Sequence, residues 1–190
     1  HETVADAFTD SFVRATMSLR VGDGREPDTD VGPLTSERRR AAADRLIGDA
    51  VANGAMIAAG GGRDTTHNRG YYYQPTVLTD VHPEMHVMRE EPFAPVAPIT
   101  PFAELGEVLE YANSTPYGLA SFVFTRDLST AFMAAEGLEA GMVGVNTLLI
   151  ASAEVPFGGV KESGFGREGG SEGIESYTIS KYLTIAVGES

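Results

Sequence analysis

Three stretches of this chain carry side chains that can do chemistry. MREEPF, residues 88–93, sets two carboxylates, Glu90 and Glu91, beside Phe93. By default such a charged cluster is a solvated turn. A carboxylate next to an aromatic is also how a protein holds a sugar: two acceptor oxygens take the hydroxyl hydrogens and the ring supplies a packing surface. SGFGREGG, residues 163–170, contains a literal G-x-G-x-x-G from Gly164 to Gly169. A loop that cradles a pyrophosphate needs a strand before its first glycine, a helix opening at its third, and an acidic residue about 20 positions on. The preceding PFGGVKE has no strand pattern. The run therefore reads as glycines that let the backbone turn tightly and pack closely. His67, His82 and His86 lack the spacing of metal ligands, and Asp23, Glu26, Asp28 and Asp30 do not match a calcium loop, so no metal site is assigned. There is no G-x-S-x-G elbow. There is also no cysteine, which removes thiol nucleophiles, disulfides and thiolate zinc sites from these residues. No catalytic residue is assigned within the chain.

The elements that must position these stretches follow from periodicity. Val4, Phe8, Phe12, Ala15 and Leu19 recur at helical steps, predicting an amphipathic helix over about 2–20. Thr35 or Ser36 caps a second helix that runs to about Ala52 and stops at Asn53-Gly54. AMIAAGG predicts a short buried strand, and YYYQPTVLTDV a strand with Pro75 at an edge or a break. FAPVAPITPF is extended, AELGEVLEYAN a helix, ASFVFT a strand, DLSTAFMAAEGLE a helix capped by Asp127, and AGMVGVN a strand. That alternation predicts an α/β fold with a parallel twisted sheet and crossover helices. SYTISKYLTIAVG, at the end, alternates as a strand does; it pairs either with its own sheet or with another subunit's. With no repeats and no linker, one domain is expected.

Composition sets the boundaries. The 190 residues hold 14 Lys+Arg against 27 Asp+Glu, a formal net charge of −13. Nucleic-acid binding needs clustered cations, and the only basic clump, Arg38-Arg39-Arg40, is surrounded by acids, so that class is excluded. No apolar run reaches the 18 or so residues of a membrane span. The acidic HETVADAFTD is no signal peptide, and its opening on His1 is expected of a piece of a longer polypeptide.

MREEPFAPVAPITPF, ANSTPYGLASFVFTRDL, EAGMVGVN and PFGGVKESGFGREGG, in this order and spacing, resemble the C-terminal part of the NAD(P)-dependent aldehyde dehydrogenases. DTDVGPLTSE and GYYYQPTVLTDV fit as well, so the resemblance covers essentially the whole chain. VNTLLIASAEVPFGGVKESGFGREGG is most similar to the succinate-semialdehyde dehydrogenase branch. The resemblance implies that residues 1–190 are part of that family's catalytic domain, with a C-terminal oligomerisation tail over about 177–190. It places the cofactor domain, the general-base glutamate and the catalytic cysteine upstream, the cysteine in a G-Q-x-C segment. The implied reaction is cysteine attack on an aldehyde, hydride transfer to the nicotinamide of NAD or NADP, and hydrolysis by water that the glutamate activates.

Carried over by position, the resemblance makes Glu91 the carboxylate that binds the nicotinamide ribose and Phe93 the aromatic packed at that end of the cofactor. Phe157 becomes an aromatic wall of the substrate tunnel, and 146–155 the loop at its mouth. The branch has a serine at the position of Ala151 that helps hold a substrate carboxylate; here Ser152 follows instead. Either Ser152 substitutes or the substrate differs. A homo-oligomeric, cytoplasmic enzyme acting on a small aldehyde is implied. Two other readings stay open: an acyl-phosphate reductase of the same superfamily, and a non-catalytic interaction domain. A G-Q-x-C just upstream of His1 would distinguish the first reading from the last.

Overall fold

The computed structural model describes residues 1–188. The chain divides into two compact units, His1–Glu104 and Leu105–Ser190. The architecture is mixed α/β with parallel strand pairs in both units.

The first unit starts with helix α1, Glu2–Met17. None of its residues is buried, and Phe8 stacks on Phe12 with ring centroids 5.6 Å apart. Helix α2, Glu37–Ala52, begins where its cap residue predicts: the Ser36 hydroxyl accepts from the Arg39 amide at 3.4 Å. It ends at Asn53, with Gly54 in the left-handed region at φ 106°. Ala43, Leu46, Ile47 and Ala50 form its buried face. They repeat at three- and four-residue steps, which is what one side of a helix against a sheet requires.

That sheet has the order β1-β2-β3, with β1 Met56–Ala59, β2 Thr76–Thr79 and β3 Val96–Pro98. β2 pairs antiparallel with β1 and parallel with β3. Pro75 immediately precedes β2, so it marks a break and not an edge; β2 is the central strand. β1 departs from the expected buried strand, since only Ala59 of its four residues is buried. An outer strand buries only what faces its neighbours' helix. Between β2 and β3 lies a four-residue helix, α3, His86–Arg89, too short for its periodicity to show in sequence. Tyr73 is 1 % exposed, and its hydroxyl donates to Asp44 at 3.1 Å. Burial first, and then this hydrogen bond, push its phenol well above the ordinary value.

In the second unit, helix α4, Leu105–Asn113, leads to β4, Tyr117–Gly118, and β5, Ala120–Val123. Helix α5, Leu128–Gly137, returns the chain to β6, Met142–Val145, which pairs parallel with β5. Asp127 caps α5 as expected, accepting from the Thr130 amide at 2.7 Å. β7, Val160–Lys161, comes back to pair antiparallel with β4. Asn113 binds α4 to the end of α5: its amide nitrogen donates to Gly137 O at 2.7 Å and its oxygen accepts from Glu139 N at 2.8 Å. Lys161 donates to Asn113 O at 2.7 Å and pairs with Glu139 at 2.7 Å.

A 3₁₀ helix, Glu172–Tyr177, follows the glycine run. The tail beyond it, expected to be a strand, carries no strand among the described residues and is exposed at Ile179, Tyr182, Leu183, Ile185 and Val187. Residues 189–190 of that expected tail lie outside the described residues.

Candidate functional site

Glu91 and Phe93 lie in the first unit, on the irregular segment between α3 and β3. Each side of this segment is anchored. Upstream, Arg45 of α2 donates to both oxygens of Glu90, at 3.3 and 2.5 Å, and His86 of α3 approaches the same carboxylate at 3.0 Å. The Arg45 hydrogen bonds hold the Glu90 carboxyl below the usual range, with a smaller contribution from His86. Downstream, Ala94 and Val96 pack against the core formed by Ala43, Ile47, Tyr73 and Leu78.

Between these anchors the two candidate residues face outward. Glu91 is exposed, and among the described residues its carboxylate has no hydrogen bond or ion pair. Phe93 is 59 % exposed and has φ 44°, a left-handed backbone that an aromatic residue rarely takes. The Arg39 guanidinium lies over its ring, 4.3 Å from the centroid. A free carboxylate next to an accessible ring, on a segment fixed from both ends, fits the ribose end of a dinucleotide: two acceptors for two hydroxyls and an apolar surface for a ring. Residues held in unfavourable backbone conformations gather at functional sites, and Phe93 is such a residue.

Ala151, Ser152 and Phe157 belong to the second unit. Their loop leaves β6 through Asn146, at φ 55°. Asn146 accepts from Thr125 N at 2.9 Å and donates to Thr125 O at 2.8 Å, fastening the loop's start to the residue pair after β5. Ala151 and Ser152 are exposed. The Glu154 carboxyl is held below the usual range, first by the Ser152 side chain and then by its own backbone amide.

Phe157 is half-buried and bridged to the glycine run: its amide donates to Glu168 O, and the Glu168 amide donates to Phe157 O, both at 2.7 Å. It borders an open cleft of about 300 Å³ together with Ser163, Phe165, Arg167 and Tyr177. The glycine run is built as a support for this loop. Gly169 has φ 69°, and a Cβ there would stand 2.9 Å from Val155 O. Gly170 donates its amide to Ala153 O at 3.0 Å. Arg167 reaches back to Gly159 O at 2.8 Å. The glycines therefore serve turning and close approach, and a 3₁₀ helix stands where a phosphate loop needs an α-helix.

Sequence reasoning missed two of the four arginines of α2, Arg39 and Arg45. Arg39 belongs to a triplet legible only as a basic clump, and Arg45 reaches a partner 45 residues away, a distance at which local pattern carries no signal.

Residues 1–183 match the model of the aldehyde dehydrogenase family. An aspartate-semialdehyde dehydrogenase (non-phosphorylating) of Halomonas elongata is 44% identical over 185 residues, 97% of this chain and 37% of that protein. A succinate-semialdehyde dehydrogenase of Paenarthrobacter nicotinovorans is also 44% identical over 185 residues, 97% of this chain and 41% of its own length. The crystal structure of succinate-semialdehyde dehydrogenase from Burkholderia pseudomallei superposes with a TM-score of 0.92 at 45% identity, covering 98% of this chain and 38% of that one. The chain thus spans about two fifths of the length of these relatives.

Proposed function

The chain belongs to the aldehyde dehydrogenase family, and from that premise we propose that it supplies the nicotinamide-ribose carboxylate and a wall of the substrate pocket to an NAD(P)-dependent enzyme that oxidises a semialdehyde to its acid. The observation that carries the reading is the unengaged Glu91 carboxylate beside the exposed ring of Phe93. NAD or NADP, when bound, supplies the hydride acceptor. Glu91 takes the ribose hydroxyls and so fixes the distance between the reacting carbons. Phe93 covers the apolar side of that end, and Phe157 with the 146–155 loop shapes where the aldehyde enters. The nucleophilic thiol comes from outside these residues, since none of them is a cysteine. The assembled enzyme is a homo-oligomer, to which the apolar tail from Tyr177 contributes. No helix among the described residues is long and apolar enough to cross a membrane, and a cytoplasmic enzyme is proposed.

The test is Glu91→Gln in the complete protein. The amide keeps the shape but loses a charge-assisted acceptor worth about 1.5–3 kcal/mol. Hydride transfer in a single turnover is expected to slow by about tenfold or more, because reacting geometry is sensitive to shifts of about 1 Å. An unchanged hydride-transfer rate in a folded variant would sink the assignment.

The succinate-semialdehyde side of the proposal rests on donors near the tunnel mouth. With Ala151 where the branch has a serine, this chain has one donor fewer than the serine-bearing branch. Ala151→Ser adds a hydroxyl next to Ser152. One gained hydrogen bond of about 1 kcal/mol corresponds to a rise of up to about tenfold in kcat/KM for succinate semialdehyde. Steady-state comparison with butanal checks this; if butanal is preferred and the serine changes nothing, the substrate belongs to another branch of the family.

A further inference from the structure

Glu91 sits on a segment with no regular structure of its own, so something else must fix its direction. We infer that Arg39 is a positioning residue for this carboxylate: by stacking on Phe93, it holds the Glu90–Phe93 segment in a course that leaves Glu91 free. The inference rests on the ribose-site reading of Glu91 and extends it to a residue that reading does not contain.

Three observations carry it. Phe93 has φ 44°, so its backbone needs outside contacts to persist there. Burial does not provide them, since the residue is 59 % exposed. One contact of its ring is the Arg39 guanidinium, 4.3 Å from the centroid, well within cation–π range. Second, Arg39 differs from Arg40 and Arg45 of α2. Arg40 pairs with Glu37, and Arg45 with Glu90. Among the described residues Arg39 makes no side-chain hydrogen bond or ion pair, although acids outnumber bases in this chain. The Phe93 ring is where its charge is directed. Third, the base of the device is rigid. Arg39 lies in the first turn of α2, and its amide is held by the Ser36 cap.

Together with Arg45, this gives α2 two grips on the segment, at Glu90 and at Phe93, with Glu91 between them. The Arg45 grip takes the adjacent acid by a two-oxygen hydrogen bond and so keeps Glu90 from competing for ribose hydroxyls. The Arg39 grip determines where the ring stands. Arg39 acts through Phe93, and loosening it releases the ribose end while leaving the fold intact.

The experiment uses the complete protein and titrates NAD+ and NADP+ in the absence of aldehyde, alongside KM, kcat and thermal unfolding. Arg39→Ala is expected to weaken binding of the preferred nucleotide about three- to fivefold and to raise its KM by the same factor, at an unchanged unfolding temperature. Arg39→Lys keeps a cation over the ring and is expected to recover most of the loss. Arg39→Met keeps the stem length without the charge and should resemble Arg39→Ala, which covers the case in which the shorter variant folds poorly. In a Phe93→Leu background, Arg39→Ala should add nothing. Unchanged binding in Arg39→Ala, or the same loss with and without the Phe93 ring, overturns the positioning role. Glu91→Gln in the same titration separates the two ideas. If it weakens binding while Arg39→Ala does not, only this inference fails; if neither variant matters, the ribose-site reading fails with it.

Discussion

The 190-residue chain, purified and supplied with NAD+, NADP+ and succinate semialdehyde, is expected to form no NAD(P)H. An aldehyde does not release hydride readily until a nucleophile has added to its carbonyl carbon. The side chain suited to that addition near neutral pH is a thiolate, and these residues contain no cysteine. A lysine amine is the other group that adds to aldehydes; of the two here, Lys161 is held on Asn113 O, Thr115 O and Glu139, and Lys181 stands exposed on the tail beyond the 3₁₀ helix. Without a nucleophile the chain loses the covalent route altogether, a deficit of about 10⁶-fold or more relative to an enzymatic rate. Absorbance at 340 nm over hours, with the complete protein as positive control, checks it. Reproducible NAD(P)H formation from preparations free of contaminating dehydrogenase would mean that another residue here is the nucleophile.

Gly141→Ala is expected to destabilise the complete protein by about 3 kcal/mol or more. A Cβ at 141 would stand 2.0 Å from Gly158 O, 2.8 Å from Gly159 Cα and 2.9 Å from Gly158 C. All three are backbone atoms, so no side chain can swing away. The chain carrying Phe157 would have to withdraw by more than 1 Å to restore ordinary contact, and overpacking against backbone is among the large single-residue effects. The Phe157–Glu168 bridge shares that backbone, so activity should fall along with stability. Gly48→Ala is the internal control. Gly48 lies in the middle of α2 with nothing within 4 Å of the added methyl, and there alanine should stabilise by about 0.5–1 kcal/mol. Chemical denaturation of both variants reads the contrast; a Gly141→Ala protein as stable as the parent would show that the close approach is not kept in solution.

The elements that were legible in the sequence are those whose cause is local. Ser36 and Asp127 cap helices because a hydroxyl or carboxylate at that position meets the orphan amides of the first turn, whatever surrounds it. The parallel pairing of β5 and β6 follows from an intervening helix long enough to return the chain. What was hidden depends on contacts distant in sequence. The exposure of β1 reflects its place at the side of a three-stranded sheet, and the four residues of α3 are too few to show a period. The tail's alternation is genuine, but alternation specifies a strand only where a partner backbone is present. For the candidate site, the carboxylate–aromatic pair was visible in MREEPF. The grip of α2 on it was not, because a guanidinium over a ring leaves no mark in composition.

The pairing of β4 with β7 has a kinetic consequence. β5, α5 and β6 are neighbours both in sequence and in space, so their contacts close small loops that form early. β4 and β7 enclose that whole module, and their pairing must wait for it, since two strands of two residues each cannot hold a long loop closed unaided. The segment from Phe157 through the glycine run is therefore expected to be the last part of this unit to order, because β7 lies within it. Once closed, the enclosure is tied by more than its two strand pairs: the Glu162 amide donates to Pro116 O at 2.9 Å, the Gly118 amide to the Ser163 hydroxyl at 3.0 Å, and Lys161 to Asn113 O at 2.7 Å.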